Sequence, residues 1–347
     1  MSLNGQIEQF LLERGALKVA FADIDSLRGG PPSADLTYIL PEARSAVSFA
    51  LPLDRDKIRA FLGKRNQTQH EADNIEMNVR ISQVGKELAG WLEEQGFASR
   101  RVHANLVYRQ DEPDWRMQLH PDLSHRYIAV ASGLGFFGWS GNVGIKGHGT
   151  AIILGTVVTS AELEPGKPIP EEESFCTRCK LCAASCAGGM FSKKEETSVT
   201  LGGKTFIFAA RHAYAICDFV CGGFTGLHKS GKWSTWSPGR YTIPEEKNDI
   251  YRSLFRAVAN YGSWPERGDG AGGYYNPAIP EKKIYLTCGT CQVLCWGNEE
   301  ETRENYRLLT SSGCVLQRED GSLTVLPAKE AAEAFAALDP AHRALYE

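Results

Sequence analysis

The chain has 347 residues, of which 42% are hydrophobic and 23% charged, and a formal net charge of −4. This is the composition of an ordinary globular protein, long enough for one large or two medium domains. It argues against a general attraction to nucleic acid or to anionic membranes, and no apolar run approaches the ~18 residues of a membrane span.

The N-terminal MSLNGQIEQFLLERG reads as a helix closed by Gly15, without the basic and apolar segments of a secretory leader. LKVAFADI follows as a strand, and LPEARSAVSFALPL (40–53) ends in a second strand. Residues 72–97 carry a long helical pattern, with Ile75, Val79, Ile81, Val84, Leu88, Trp91 and Leu92 on it and Gly96 at its end. RRVHANLVY (100–108) reads as a strand and Arg109–His125 as a polar, aromatic loop. A helix from His125 to about Ser132 then leads into GLGFFGWSGNVGIKGHG and the strand AIILGTVVT (151–159). Alternating strands and helices over residues 1–165 point to an α/β domain. Beyond the cysteine-rich middle, a helix is expected near 245–262. WPERGDGAGGYYNPAIPEKK should be an ordered functional loop, and an Ala-rich helix opened by Pro327 forms the tail. The expected division is an α/β (α+β) N-terminal domain over 1–170, a two-cluster ferredoxin-like module over 171–300 and a helical tail over 301–347.

The cysteines carry the chemistry. Cys176, Cys179, Cys182 and Cys186 read C-x2-C-x2-C-x3-C, and Cys288, Cys291 and Cys295 read C-x2-C-x3-C. Thiolates suit iron–sulfur clusters, and the first run is the bacterial ferredoxin spacing, whose fourth cysteine serves the other cluster. Cys176, Cys179, Cys182 and Cys295 would then hold one 4Fe–4S cluster. Cys186, Cys288 and Cys291 would hold a second, completed by Cys217 or Cys221. A structural zinc site closes with four ligands, fewer than this pattern offers, and ten cysteines in this length are too sparse for a disulfide scaffold. The thiol-rich pattern implies a reducing cytoplasm. Ala187 and Trp296 stand where proline ordinarily closes each run. Cys314 lies outside the motifs and reads as a buried free thiol.

Gly133, Gly135, Gly138, Gly141, Gly144, Gly147 and Gly149 crowd one short segment. Such density allows close backbone approach, either to a flat ligand or phosphate or within a tight structural turn. The G-x-G-x-x-G within it follows a helical pattern rather than a strand, which disfavours nicotinamide binding.

Three segments together resemble the epoxyqueuosine reductase family and its relatives, the corrinoid-dependent reductive dehalogenases. They are LPEARSAVSFALPL, RYIAVASGLGFFGWSGNVGIKGHGTAIILGTVVTSAELEP (126–165) and the cysteine constellation ending CGTCQVLCWGN. The resemblance covers roughly residues 15–300 and makes Cys217 the intermediate ligand. It implies a corrinoid (cobalamin) held between the α/β domain and the cluster module, with Arg126, Gly133, Gly135, Gly138, Gly141, Asn142 and Gly149 as contacts. Near the position of the family's acidic proton donor stand Asp122, His120 and His125. The dehalogenase relatives use tyrosine instead, which adds Tyr108, Tyr241, Tyr274 and Tyr275. Trp233 and Trp236 join these as pocket candidates, and His212 could tune a cluster. Trp139 replaces the lysine usual after Gly138, and the family's C-terminal extension for transfer RNA is missing. The expected function is a cytoplasmic oxidoreductase in which two clusters pass electrons to a corrinoid that reduces a small organic substrate. A ferredoxin or flavodoxin would be the donor, with no membrane or nucleic-acid partner. The alternative is an electron-transfer or corrinoid-activating protein without its own substrate.

Overall fold

The computed structural model describes residues 1–103, 107–115, 119–212, 214–267, 271–276 and 279–347. Its main sheet has four strands in the order β1 (Lys18–Asp23), β2 (Ser45–Pro52), β6 (Ile152–Thr159) and β3 (Ser99–Arg101). Every ladder in it is antiparallel. The alternation of elements therefore resolves to the α+β side of the expected class. The link from β1 to β2 passes through short 3-10 turns, and antiparallel neighbours need no crossover helix.

Strand β2 is buried on both faces, and its two-residue period sorts the layers. Val47, Phe49 and Leu51 face a core with helix α1 (Leu3–Leu12) and helix α3 (Thr68–Glu94), while Ala46 and Ala50 face helix α4 (His125–Ala131). Helix α3 presents Ile81, Val84, Leu88 and Leu92, spaced by three and four, to the sheet. Ile75 and Val79 of the same apolar pattern are 40% and 64% exposed, so the stripe in the sequence is wider than the buried face. Gly155 allows the close contact. A Cβ there would lie 2.5 Å from the Phe49 ring and 2.7 Å from Ile81.

A hairpin of β7 (Phe191–Leu201) and β8 (Lys204–Arg211) was not expected. It turns on Gly202 and Gly203, both at positive φ, as a two-residue hairpin loop requires. Val199, Leu201 and Phe206 sink into the core beside Leu27 and Phe137, so this insertion between Cys186 and Cys217 grips the N-terminal half. A second unexpected hairpin joins β11 (Cys314–Gln317) to β12 (Leu323–Leu326). The largest core runs across the expected boundaries, uniting Ile7 and Leu51 with Trp233, Trp236, Trp296 and Val315. Of the expected strand at 100–108, only Ser99–Arg101 forms part of the sheet, and residues 104–106 lie outside the described set. Parts of the two loops at 109–125 and 264–283 also lie outside it.

Candidate metal centre

The first cysteine run folds as a tight loop in which Arg178 and Lys180 take positive φ. It leads into a single helical turn, α5 (Leu181–Ala184), and the second run forms the matching turn α8 (Thr290–Val293) after Gly289 at φ +107°. The Thr290 hydroxyl donates to Ser185 O at 3.1 Å, tying one turn to the other. Two groups of sulfurs result. Cys182 and Cys295 each sit in the electrostatic field of both Cys176 and Cys179. Cys186 and Cys291 each face Cys288 and Cys217. The first group lines a cleft with Trp139 and Phe175, which Cys291 also borders.

Amide hydrogens converge on these sulfurs. Trp139 N donates to Cys176 Sγ and Met190 N to Cys186 Sγ, each at 3.3 Å. The Ser140 amide is directed at Cys182, Gly297 at Cys295, and Gly289 and Thr290 at Cys288. A neutral thiol is a weak acceptor, so this many donors suit thiolates. Yet burial pushes the Cys182 thiol up to about 12 and Cys186 up to about 11. These two thiols are thus protonated near neutrality when bare, and a bound cationic centre is what would ionise them, whereas the contact with Cys221 brings Cys288 down to about 6. Among the described residues no set of three or more His, Cys, Asp or Glu side chains closes around a single ion. The donor set of each group, soft thiols alone, fits an iron–sulfur cluster.

Cys217 and Cys221 both lie on α6 (Ala215–Cys221), one turn apart on the same face, with sulfurs 3.4 Å from each other. Cys217 shares its surroundings with Cys186 and Cys291, while Cys221 contacts Cys217 and Cys288.

Two cations flank the second group. Arg126 donates to Gly141 O at 3.0 Å, and Arg211 donates to Ser140 O at 2.6 Å. Both lie near Cys291, and Arg211 also near Cys217. Burial, and then Arg126, bring Arg211 down to about 10. Arg211 was missed in the sequence because it ends an unrecognised hairpin strand. Asp218, beside Cys217, was missed as well, and burial raises its carboxyl to about 6.

The glycine segment meets protein. A Cβ on Gly133 would lie 2.2 Å from Lys167 O, on Gly135 2.6 Å from Gly144 O, and on Gly141 2.8 Å from Arg211. On Gly138 it would lie 3.0 Å from Phe175, and on Gly149 2.2 Å from Cys295 O. Asn142 donates to Cys291 O at 3.2 Å. These residues dock the N-terminal half onto the cysteine loops, and only Gly147 of the segment faces open space.

Of the proton-donor candidates, Tyr108, His120, Asp122 and His125 lie on neighbouring backbone, and Tyr241 lies apart. Asp122 is buried, accepts from Leu123 N at 2.7 Å and has its carboxyl raised by desolvation. His120 pairs with Glu112 at 2.7 Å on the surface. His125 bonds Thr156 and His103 O through its two ring nitrogens, and burial lowers it to about 4. Tyr241 donates to Leu345 O at 2.8 Å within a different core cluster. Tyr108 pairs its backbone with Pro121, and Tyr275 is exposed, as in part is Tyr274. Trp233 and Trp236 are core residues, the latter donating to Phe61 O. His212 lines a cleft beside Cys186, and Cys314 is buried with a free thiol.

Fold and site together define a mixed α/β protein whose two cysteine loops gather their sulfurs into two facing groups. No family model matches the chain. Its relatives are the proteins that the motifs resemble. The epoxyqueuosine reductase of Synechocystis sp. is 25% identical over 151 residues, 42% of this chain and 50% of that protein. The epoxyqueuosine reductase of Gloeobacter violaceus is 24% identical over 45% of this chain and 44% of its own length. The matched stretch thus spans about half the length of these relatives. Among solved structures, a reductive dehalogenase studied for B12-dependent dehalogenation aligns over 96% of this chain and 48% of its own, with 14% identity and a TM-score of 0.46. An epoxyqueuosine reductase solved with an epoxyqueuosine-modified tRNA-Tyr stem loop covers 88% of this chain and 80% of its own, at 15% identity and a TM-score of 0.41. The likeness to epoxyqueuosine reductases corrects the exclusion of nucleic acid drawn from composition. Net charge averages the whole surface, whereas a backbone phosphate meets only a local patch. Among the described residues no helix is long and apolar enough to cross a membrane.

Proposed function

We propose that this chain is an iron–sulfur oxidoreductase carrying two 4Fe–4S clusters. Cys176, Cys179, Cys182 and Cys295 would hold one, and Cys186, Cys217, Cys288 and Cys291 the other. The observation that carries this reading is the pair of four-sulfur groups, each ringed by amide donors. When bound, the clusters supply one-electron transfer. The protein's part is electrostatic: Arg126 and Arg211 offset the negative charge that four ionised thiolates bring to the second group. A ferredoxin or flavodoxin is the proposed source of electrons, and a small organic molecule the proposed acceptor, with a cytoplasmic setting.

Corrinoid dependence is part of the proposal only as a binding test. In the Cβ direction each glycine assigned to that cofactor meets protein, and Asn142 donates to Cys291 O. No step is therefore assigned to a corrinoid. The same contacts favour a second reading, an electron-transfer or corrinoid-activating protein without a substrate of its own.

The test is anaerobic reconstitution followed by iron and sulfide counts and by EPR with cob(II)alamin, before and after dithionite. About eight irons per chain, with two reduced-cluster signals, is expected for two 4Fe–4S clusters. Cys295→Ala and Cys291→Ala should each remove a different signal. A count near four, or the same signal lost in both variants, would refute the grouping. A cobalt signal changed by the protein supports the corrinoid enzyme. An unchanged one, beside reduced clusters, supports the electron carrier.

A further inference from the structure

We infer that the second sulfur group contains an exchangeable fifth ligand: Cys221 takes the cluster position of Cys217 when Cys217 is removed. This rests on the two-cluster reading above and concerns a residue for which that reading has no use.

The argument is geometric. Residues four apart on a helix project from one face, about one 5.4 Å turn from each other. On α6 this places the Cys221 sulfur 3.4 Å from that of Cys217, and Cys221 also reaches Cys288, a proposed ligand of the same cluster. A reserve ligand needs no backbone movement if another side-chain rotamer can cover the remaining distance, and a cysteine has three staggered wells. Cys221 is the last residue of α6, followed by Gly222 and by Gly223 at φ +86°. The turn that follows is held by Gly222 N donating to Asp218 O, Gly223 N to Val220 O and Phe224 N to Phe219 O, so the exchange falls to the side-chain rotamer alone. The other cysteine outside the two groups, Cys314, lies in β11 against Gly231 O and has no such neighbours. The step balances: with Cys217 removed, the Cys221 sulfur would bind the iron left without its fourth thiolate, its proton would go to solvent, and no oxidation state would change.

A purely structural Cys221 would pack against Cys217 or hydrogen-bond to it without ever binding iron. The experiment that separates these roles compares Cys217→Ala, Cys221→Ala and the double variant after anaerobic reconstitution, by iron count and EPR. Alanine is used because a serine oxygen can itself bind iron. The expected result is about eight irons in the wild type and in both single variants, and about four in the double variant. The signal of the second cluster should shift in Cys217→Ala, because the ligating sulfur has moved, and stay unshifted in Cys221→Ala. A fall to about four irons in Cys217→Ala alone would overturn the inference while leaving two clusters in the wild type intact. A wild type that takes up no second cluster would overturn the two-cluster reading, and this inference with it. Circular dichroism of each apo variant against the wild type identifies loss of iron through misfolding. If Cys217→Ala is misfolded, Cys217→Val is the replacement, judged by the same two counts.

Discussion

Replacing Gly149 by alanine should damage both the fold and the first sulfur group, whereas the same change two residues earlier should do little. Gly149 sits at φ +61°, where a side chain costs about 1–2 kcal/mol. The new Cβ would also lie 2.2 Å from Cys295 O, 2.4 Å from Gly297 N and 2.5 Å from Trp296 C. All three are backbone atoms and cannot rotate away, so the loop itself must shift, at roughly the 1–3 kcal/mol typical of overpacking. The sum is about 2–5 kcal/mol. Gly147 is the control: its φ of +83° carries a similar conformational cost, but nothing lies within 4 Å. Gly147→Ala should therefore cost only about 1–2 kcal/mol. The damage at Gly149 also has a direction. Thr150 N donates to Cys295 O at 2.9 Å, so a displaced loop carries Cys295 with it. Urea unfolding of the apo proteins measures the difference in stability, and iron retention after reconstitution measures the effect on the first group. Equal losses of stability in the two variants would refute the claim that this glycine exists for protein contact. Full iron retention in a destabilised Gly149→Ala would refute its link to Cys295.

Two further outcomes follow from buried charge. Burial lowers His70 to about 4, below the ordinary value of about 6.5, so the native state binds fewer protons than the unfolded chain in that interval. The stability from neutral His70 is complete above pH 6.5 and is lost as pH falls towards 4, by about 3 kcal/mol. His70→Leu should flatten the pH dependence relative to wild type by that order, and parallel curves from urea titrations between pH 7 and 4 would contradict it. Arg211→Gln removes one of the two cations beside the second sulfur group, so its cluster should become harder to reduce by tens of millivolts. An EPR-monitored redox titration in which only the first cluster's potential moves would sink that assignment.

The sequence alone marked the elements whose signals are local. Val47, Phe49 and Leu51 alternate as a buried strand must, and α3 repeats every three to four residues, so both were legible before any fold was known. The two-cluster ferredoxin pattern led to the expectation that Cys295 joins Cys176, Cys179 and Cys182, and the fold sets Cys295 near Cys176, Cys179 and Cys182. The Gly-Gly turn of the 191–211 hairpin was also a local signal, flanked by the alternating TSVTL and KTFIF, but the cysteines around it drew the segment into the cluster region.

Other features exist only in three dimensions. The glycines of 133–149 declare that something approaches the backbone closely, but composition cannot say whether it is a ligand or another loop. The fold sets Lys167, Phe175 and Cys295 in the Cβ direction of Gly133, Gly138 and Gly149. Arg211 becomes a neighbour of the second sulfur group only when the hairpin folds back, and Tyr241 is drawn away into the C-terminal core. Cys217 and Cys221 looked equivalent as letters; α6 sets Cys217 near Cys186 and Cys291, and Cys221 against Cys217 and Cys288. Short-range spacing fixes which residues a loop can gather. Which surfaces meet depends on long-range packing between distant segments, and a linear pattern holds no record of that.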